Sequence, residues 1–539
     1  MGKRRIWLRL ITILTILTMI LAACSGTKTT DNDTKGDDGK GNVEKKELVF
    51  GRGGDSTSLD PATTTEGEAF KVTVNIFETL INFGEQDTEL QPGLATEWEN
   101  SDDGLVYTFK LREGVKFHDG TDFNAEAVVY NFNRWKEGNK DVTGDDTPYP
   151  YYASQFGDNI VKVEATGEYE VTFTLQRPQA PFLKNLAMPP FAIASPAALQ
   201  KYGDKFNENP VGTGPFKFVE WRRNDRIVIE KFADYWDPKY PILDRVTFVS
   251  IPDNSARLNA LLAGDVDLID GINYSDVPTI EADSDLKIFS RPSMNVGYVG
   301  LTVTRGPMQD KRVRQALNHA VNKEEIIQAF YEGYAIPAKN PMPPVISGYN
   351  DNIVDYEFDL EKAKQLLAEA GYPDGFEMEL WAMPVPRPYM PDGQKVAEAI
   401  KANFEKIGVK AKIVSMEWGT YLERTAAGDA DAFMLGWTGD NGDPDNFLYV
   451  LLDKDNIGTN NYTYYSNDEL HEILIEAQST PDEDKRAELY KRAQEIIKED
   501  APWIPLVHSQ PLLAGRKDIV NFLPHPTGSD LLHKVDFQK

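Results

Sequence analysis

Two stretches of this chain hold charged side chains where the backbone has little freedom. The first is Gly436-Trp437-Thr438-Gly439-Asp440-Asn441-Gly442-Asp443-Pro444-Asp445-Asn446-Phe447, which ends a strand-like run from Ala430 to Leu435. An aromatic residue followed by an acidic turn suits a cation site. Asp440 would fix a group such as an α-amino group by a charge-assisted hydrogen bond, with Trp437 as a pocket wall. The same residues also make an ordinary solvated loop, in which Asp and Asn form Asx turns while Gly and Pro set the dihedrals. The second stretch is Pro386-Arg387-Pro388-Tyr389. Its prolines forbid helix and bias the backbone toward an extended form. That limits where the Arg387 guanidinium, a planar fork suited to a carboxylate, can point. An exposed loop arginine stiffened by prolines has the same sequence.

Catalytic patterns are missing. The six histidines, His118, His319, His471, His508, His525 and His533, show no zinc-peptidase spacing, and neither a G-x-S-x-G elbow nor a P-loop occurs. His118 lies in Phe117-His118-Asp119-Gly120, where a turn is the ordinary explanation. Gly51-Arg52-Gly53-Gly54 departs from the dinucleotide fingerprint. The chain reads as a binding protein rather than an enzyme, with no catalytic residue, no cofactor and no metal expected.

The N-terminus carries Lys3, Arg4, Arg5 and Arg9, an apolar run from Leu10 to Ile20, and then Leu21-Ala22-Ala23-Cys24. This has the form of an export signal and is too short for a stable transmembrane span. Leu-Ala-Ala-Cys resembles the lipobox of bacterial lipoproteins, which implies acylation of Cys24 after removal of residues 1–23. Cys24 is the only cysteine, so no intramolecular disulfide framework exists. Residues 24–46 are polar and expected to be a flexible, lipid-anchored tether. The formal charge of -28 includes the signal's four basic residues, so the mature chain carries -28 minus 4, or -32. That excludes nucleic acid as a natural partner. The expected location is the outer face of the cell membrane, as in a Gram-positive-like lipoprotein.

The remaining residues are too many for one core. Leu48-Val49-Phe50, Val106 to Leu111, Ile160 to Glu164, Tyr169 to Leu175, Arg226 to Lys231 and Val246 to Ile251 read as strands. Asn124 is placed to cap a helix carrying Val128, Val129, Phe132 and Trp135. Further helices are expected at Ser255 to Ala263, Lys311 to Phe330, Leu360 to Ala370, Gly393 to Ile407 and Lys485 to Ile497. In the second half they alternate with strands at Glu377 to Trp381, Ala411 to Val414 and Ala430 to Leu435, which predicts an α/β lobe with a largely parallel sheet after an α+β lobe.

A family resemblance rests on Gly93-Leu94-Ala95-Thr96-Glu97-Trp98, Tyr107 to Arg112, Val115 to Gly120, Gly212-Thr213-Gly214-Pro215-Phe216, Tyr235-Trp236-Asp237, Ala263 to Asp267, and Val313 to Leu317 with Ala320 to Lys323. In this order they resemble the peptide-binding extracellular solute receptors of ABC importers, solute-binding protein family 5, over roughly residues 47 to 539. Trp381 to Tyr389 and Trp437 to Phe447 are most similar to the dipeptide-binding lipoproteins among them. The resemblance implies a bilobal periplasmic-binding-protein (Venus-flytrap) fold of class II type with an additional subdomain. Lobe I would span 47–291, with the subdomain at roughly 90–210, lobe II 292–506, and 507–539 would return to lobe I.

It also implies that Arg387 pairs with a dipeptide's α-carboxylate and Asp440 with its α-amino group. Trp437, Gly436 and Tyr389 would border the ligand, and Thr63-Thr64-Thr65-Glu66-Gly67 would be a first-lobe ligand loop, with Thr65 and Gly67 at the site. A threonine capping a helix from Glu66 to Leu80 explains that loop equally well. Tyr149, Tyr151 and Tyr152 are candidates to close the cleft. The implied partners are a dipeptide, ABC permease and ATPase subunits, and the membrane through Cys24, with a monomer expected. Receptors for haem, nickel complexes or glutathione, and a surface peptide sensor, are the alternatives. Replacing Cys24 by Ala is expected to leave the protein soluble or poorly processed, and fractionation that still required detergent to release it would refute the anchor.

Overall fold

The computed structural model describes residues 46–138 and 147–538. The signal, Cys24 and the tether up to residue 45 lie outside the described residues. None of the described helices is long and apolar enough to cross a membrane.

A seven-stranded sheet runs in the order Leu286–Ser290, Leu512–Arg516, Leu268–Ile269, Glu47–Arg52, Arg245–Ser250, Arg226–Lys231 and Phe216–Arg222. Glu47–Arg52 pairs in parallel with both its neighbours, and its alternating apolar residues Leu48 and Phe50 are buried with Phe216, Ile227 and Phe248. A separate four-stranded antiparallel sheet joins Ala95–Asn100, Val106–Leu111, Glu170–Leu175 and Ile160–Gly167. The helix Ala125–Glu137 packs on it, capped as expected by Asn124, whose side chain accepts from Ala127 N. Phe132, Trp135, Phe109 and Phe173 form an aromatic core there.

The other large sheet has six strands in the order Ala335–Pro337, Trp503–Ser509, Asn295–Leu301, Ala432–Thr438, Glu377–Trp381 and Lys410–Val414. Only Glu377–Trp381 with Lys410–Val414 and with Ala432–Thr438 is parallel; the three other pairings are antiparallel. This corrects the expectation of a largely parallel sheet. Parallel pairing needs a crossover element, and the helices Gly393–Glu405 and Trp418–Ala426 supply it for three strands. The strands Asn295–Leu301 and Trp503–Ser509 instead arrive from and return to the seven-stranded sheet, side by side and in opposite directions. A second correction concerns Lys311 to Phe330, which is two helices, Lys311–Ala320 and Lys323–Phe330. Val321 is extended between them, and the Asn322 side chain caps the second by accepting from Glu325 N.

The chain passes between the two large sheets at 290–295 and again at 509–512. Asn295 ties the two passages together: its amide donates to Ser509 O at 2.9 Å and accepts from Ser509 N at 3.0 Å. Beside it Arg291 makes a buried two-bond pair with Asp530, at 2.7 and 2.8 Å.

The Pro386 to Met390 segment is a tight turn, closed by Arg387 N to Met390 O at 3.0 Å and Met390 N to Arg387 O at 2.8 Å. It lies on two directly opposed glycines of neighbouring strands, Gly297 and Gly436. A Cβ on Gly436 would stand 2.2 Å from the Tyr389 ring, and one on Gly297 2.4 Å from the Tyr389 carbonyl oxygen. Gly436→Ala is therefore expected to cost about 1 to 3 kcal/mol through overpacking, measured by chemical denaturation. Gly67→Ala, where a Cβ meets nothing within 4 Å, should stay within about 0.5 kcal/mol of the parent.

Candidate functional site

Asp440 follows directly on the strand that carries Gly436 and Trp437, since that strand extends to Thr438 rather than ending at Leu435. One residue organises the turn. Asn446 Oδ1 accepts from Trp437 Nε1 at 2.9 Å and from Asp440 N at 3.0 Å, while its Nδ2 donates to Asp440 Oδ2 at 3.1 Å. The indole and the carboxylate are thereby held to one buried amide. Asx turns do shape the segment, with Asn441 Oδ1 accepting from Asp443 N and Asp443 Oδ1 from Asp445 N. Asp443 is then locked by a buried bidentate pair to Arg486 at 2.6 and 2.8 Å.

Asp440 has no such partner. Among the described residues it forms no ion pair; the Tyr151 hydroxyl stands 3.5 Å from its Oδ1. Burial pushes its carboxyl up to about 6, against the opposing hydrogen bonds from Asn446 and Tyr151. Tyr151 stays protonated well above its usual range, first through burial and then through the Asp440 charge. Burial without a cation partner is what disfavours the ionised form of Asp440.

Arg387 is the complementary case. It is exposed, its Nη1 donates to its neighbour Pro386 O at 3.0 Å, and among the described residues it has no carboxylate partner. Its turn is held from behind: Tyr331 Oη donates to Tyr389 O at 2.8 Å, and Tyr274 Oη lies 3.5 Å from Pro388 O and 3.2 Å from Gln510 O. Gly436 lies beneath the Tyr389 ring. Arg387, Tyr389, Gly436, Trp437 and Asp440 thus share one frame on the six-stranded sheet.

Thr65 and Gly67 are both exposed, Gly67 opening the helix Gly67–Thr73. No threonine caps that helix, which corrects the expectation: the Glu66 carboxylate accepts from Glu68 N at 2.9 Å. Thr64 Oγ1 is instead occupied by Glu66 N and the Thr57 hydroxyl, each at 3.4 Å. The helix also stops short of Leu80. Asn75, just beyond it, is bonded to Asp530 O and to Leu532 N of the C-terminal segment, which draws the chain aside.

Residues distant in sequence reach the acidic turn. Tyr151 packs edge-on against Phe70 as it approaches Asp440. Asn441 Nδ2 donates to Asn185 Oδ1 at 2.7 Å, and Lys184 Nζ to Gly442 O at 3.3 Å. Gly442 has φ +66, and a Cβ there would strike Thr88, so glycine answers both a left-handed backbone and a close neighbour. Of these contacts only Tyr151 was visible beforehand as a candidate, through its place in an aromatic loop. Asn446, Lys184 and Asn185 carry no local signal; their partners are distant in sequence or lie around a turn.

This architecture, two large sheets joined by paired crossings with a separate four-stranded sheet, is the bilobal fold of periplasmic binding proteins. Residues 89–459 match the family model described as bacterial extracellular solute-binding proteins, family 5 middle, and the chain belongs to that family. It is 38% identical over 513 residues to the dipeptide-binding protein of Escherichia coli (strain K12), covering 92% of this chain and 95% of that one. Equal identity, over 532 residues and 96% and 97% of the two chains, relates it to heme-binding protein A of Haemophilus influenzae. In structure it resembles the ABC transporter-associated periplasmic binding protein of Helicobacter pylori solved with the peptide STSA, with a TM-score of 0.84, 37% identity, and coverage of 92% and 98%. These relatives are solute-binding receptors, not enzymes.

Binding of a ligand ammonium by Asp440 would depend on pH. Only its ionised form attracts an ammonium, so affinity should hold above about pH 6 and fall as the pH drops through that value, approaching about tenfold per pH unit below it. Calorimetry of a peptide between pH 7.5 and 4.5, values chosen to lie about 1.5 units either side of that midpoint, would measure this.

Proposed function

We propose that this protein is the substrate-binding lipoprotein of an ABC importer, capturing dipeptides outside the cell and delivering them to the membrane permease. One observation carries the reading. Arg387 and Asp440, opposite in sign and without ionic partners among the described residues, stand on the same sheet frame, bound to it through Gly436 and Asn446. A dipeptide zwitterion has two opposite end charges and a variable middle. A receptor for many sequences clamps the ends and tolerates what lies between.

Relatedness by itself does not choose the ligand, because the dipeptide and heme receptors are equally identical to this chain. The charge pair favours the peptide. The two fixed ends also measure length, since each added residue extends a peptide by about 3.3 to 3.6 Å. Cys24 would hold the receptor to the outer membrane surface as a lipid-anchored monomer, where it meets permease and ATPase subunits. Loss of labelled-dipeptide import on gene deletion would distinguish this transport role from a surface peptide sensor.

Removing one partner of a desolvated ion pair costs about 3 to 5 kcal/mol, roughly 2 to 3.5 decades of affinity. Asp440→Asn should accordingly nearly abolish dipeptide binding in calorimetry, and N-acetylated dipeptides should fail with the parent protein. Arg387→Ala should also weaken binding, though by less because that side chain is exposed, and C-terminal amides should lose affinity by a similar factor. Both variants should fold, because neither side chain is part of a core. If Asp440→Asn bound dipeptides within a few-fold of the parent, the reading would be wrong, and haem, nickel complexes and glutathione would be the ligands to titrate.

A further inference from the structure

We propose that Asp453, Asp455 and His471 form a second binding site, for a divalent metal ion of the zinc class. The site lies at the far end of the helix Asp445–Leu452 from the acidic turn, about 12 Å away along its axis at about 1.5 Å per residue. Sequence spacing conceals it, because the histidine comes from the first turn of the next long helix, Asp468–Ser479.

The geometry is already close to that of a coordination shell. One ligand atom from each of the three residues lies within 4.8 Å of the others. His471 Nδ1 is 3.0 and 3.1 Å from the two Asp453 oxygens and 3.9 Å from Asp455 Oδ2. Nitrogen and oxygen ligands held about 2.0 to 2.2 Å from zinc lie about 3 to 3.5 Å from one another. Small side-chain adjustments therefore suffice.

The charges also call for a cation. Among the described residues neither Asp453 nor Asp455 has a lysine or arginine within ion-pair distance. Lys454, between them in sequence, pairs with Asp468 at 2.5 Å, and the other group on Asp455 is the Tyr449 hydroxyl at 3.3 Å. Two carboxylates against one imidazole leave a site that a divalent ion neutralises.

Asp453 cannot swing away. Its side chain is 1% exposed, its Oδ1 accepts from Asp455 N at 2.9 Å, and its carbonyl is held by Asn461 Nδ2 at 3.1 Å. Asp455 and His471, at 50% and 23% side-chain exposure, leave an entry path and room for water to complete the shell. An imidazole with only two carboxylates favours zinc over calcium or magnesium, which require oxygen-rich shells. Bound there, the ion would pin the end of the helix Asp445–Leu452 to the helix Asp468–Ser479.

The test uses the whole mature protein, stripped with EDTA and titrated with zinc chloride in calorimetry, followed by desalting and elemental analysis. About one zinc per chain should be retained, and affinity should fall about tenfold or more in Asp455→Asn and in His471→Gln. The glutamine keeps a hydrogen bond to Asp453, and Asp455 is exposed, so both variants should fold. Zinc should raise the melting temperature of the parent alone, while dipeptide affinity should stay within about twofold in every variant. No binding by the parent at micromolar zinc would overturn the proposal and leave His471 and Asp453 as a plain hydrogen-bonded pair. Equal binding by the variants would also overturn it, placing any zinc elsewhere.

Discussion

The site depends on a close approach of backbone to backbone. Gly297 and Gly436 face each other across two adjacent strands, and with no Cβ on either, the Pro386 to Met390 turn settles directly on the sheet. Tyr331 and Tyr274 grip the turn's carbonyls from the opposite side. The prolines on either side of Arg387 narrow its backbone further. The guanidinium therefore projects from a fixed base, although the side chain is itself exposed. The strand that makes room for Tyr389 continues through Trp437 into the acidic turn, so a single register relates both charges.

Around that frame several buried carboxylates are paired with cations. Asp443 has Arg486, Asp530 has Arg291, and Asp270 has Lys71. Such pairs offset the cost of desolvation, and their worth lies largely in fixing geometry. Arg486 holds Asp443 and thereby the base of the acidic turn, while Arg291 and Asp530 brace the passages between sheets. Among the described residues Asp440 has only neutral donors, Asn446 and Tyr151, as Asp445 has only Gln478 and Tyr490. Such donors orient a carboxylate without discharging it. Tyr151, Lys184 and Asn185 approach the turn from segments distant in sequence.

The short helix Asp445–Leu452 links this site to the acidic and histidine cluster at its other end. At its start Asp445 accepts from Gln478, a residue of the same helix that supplies His471. Two contacts thus tie these helices together, one at the mouth of the cleft and one on the outer surface. A metal ion in the outer contact would tighten a support of the turn without touching the ligand.

Much of this was legible in the chain. Alternating apolar residues marked the strand from Val106 to Leu111 and a short apolar run the strand from Arg226 to Lys231, Asn124 announced its helix, and ordered motifs from Gly93 to Lys323 pointed to the family. The charged candidates Arg387 and Asp440 also stand out in the chain, because prolines, glycines and aromatics around them restrict local conformation. Other features depend on partners far away in sequence. The six-stranded sheet is mainly antiparallel because two strands arrive from another sheet; by a local contact instead, the helix from Lys311 divides where Val321 is extended and Asn322 caps the next helix through Glu325 N. The helix that follows the Thr63 to Gly67 loop is capped by Glu66 and not by a threonine. Asn446, Asn185 and the meeting of His471 with Asp453 had no local signature. Local pattern determines which residues are stiff, buried or charged; which charges remain unpaired is decided only when distant segments have folded against one another.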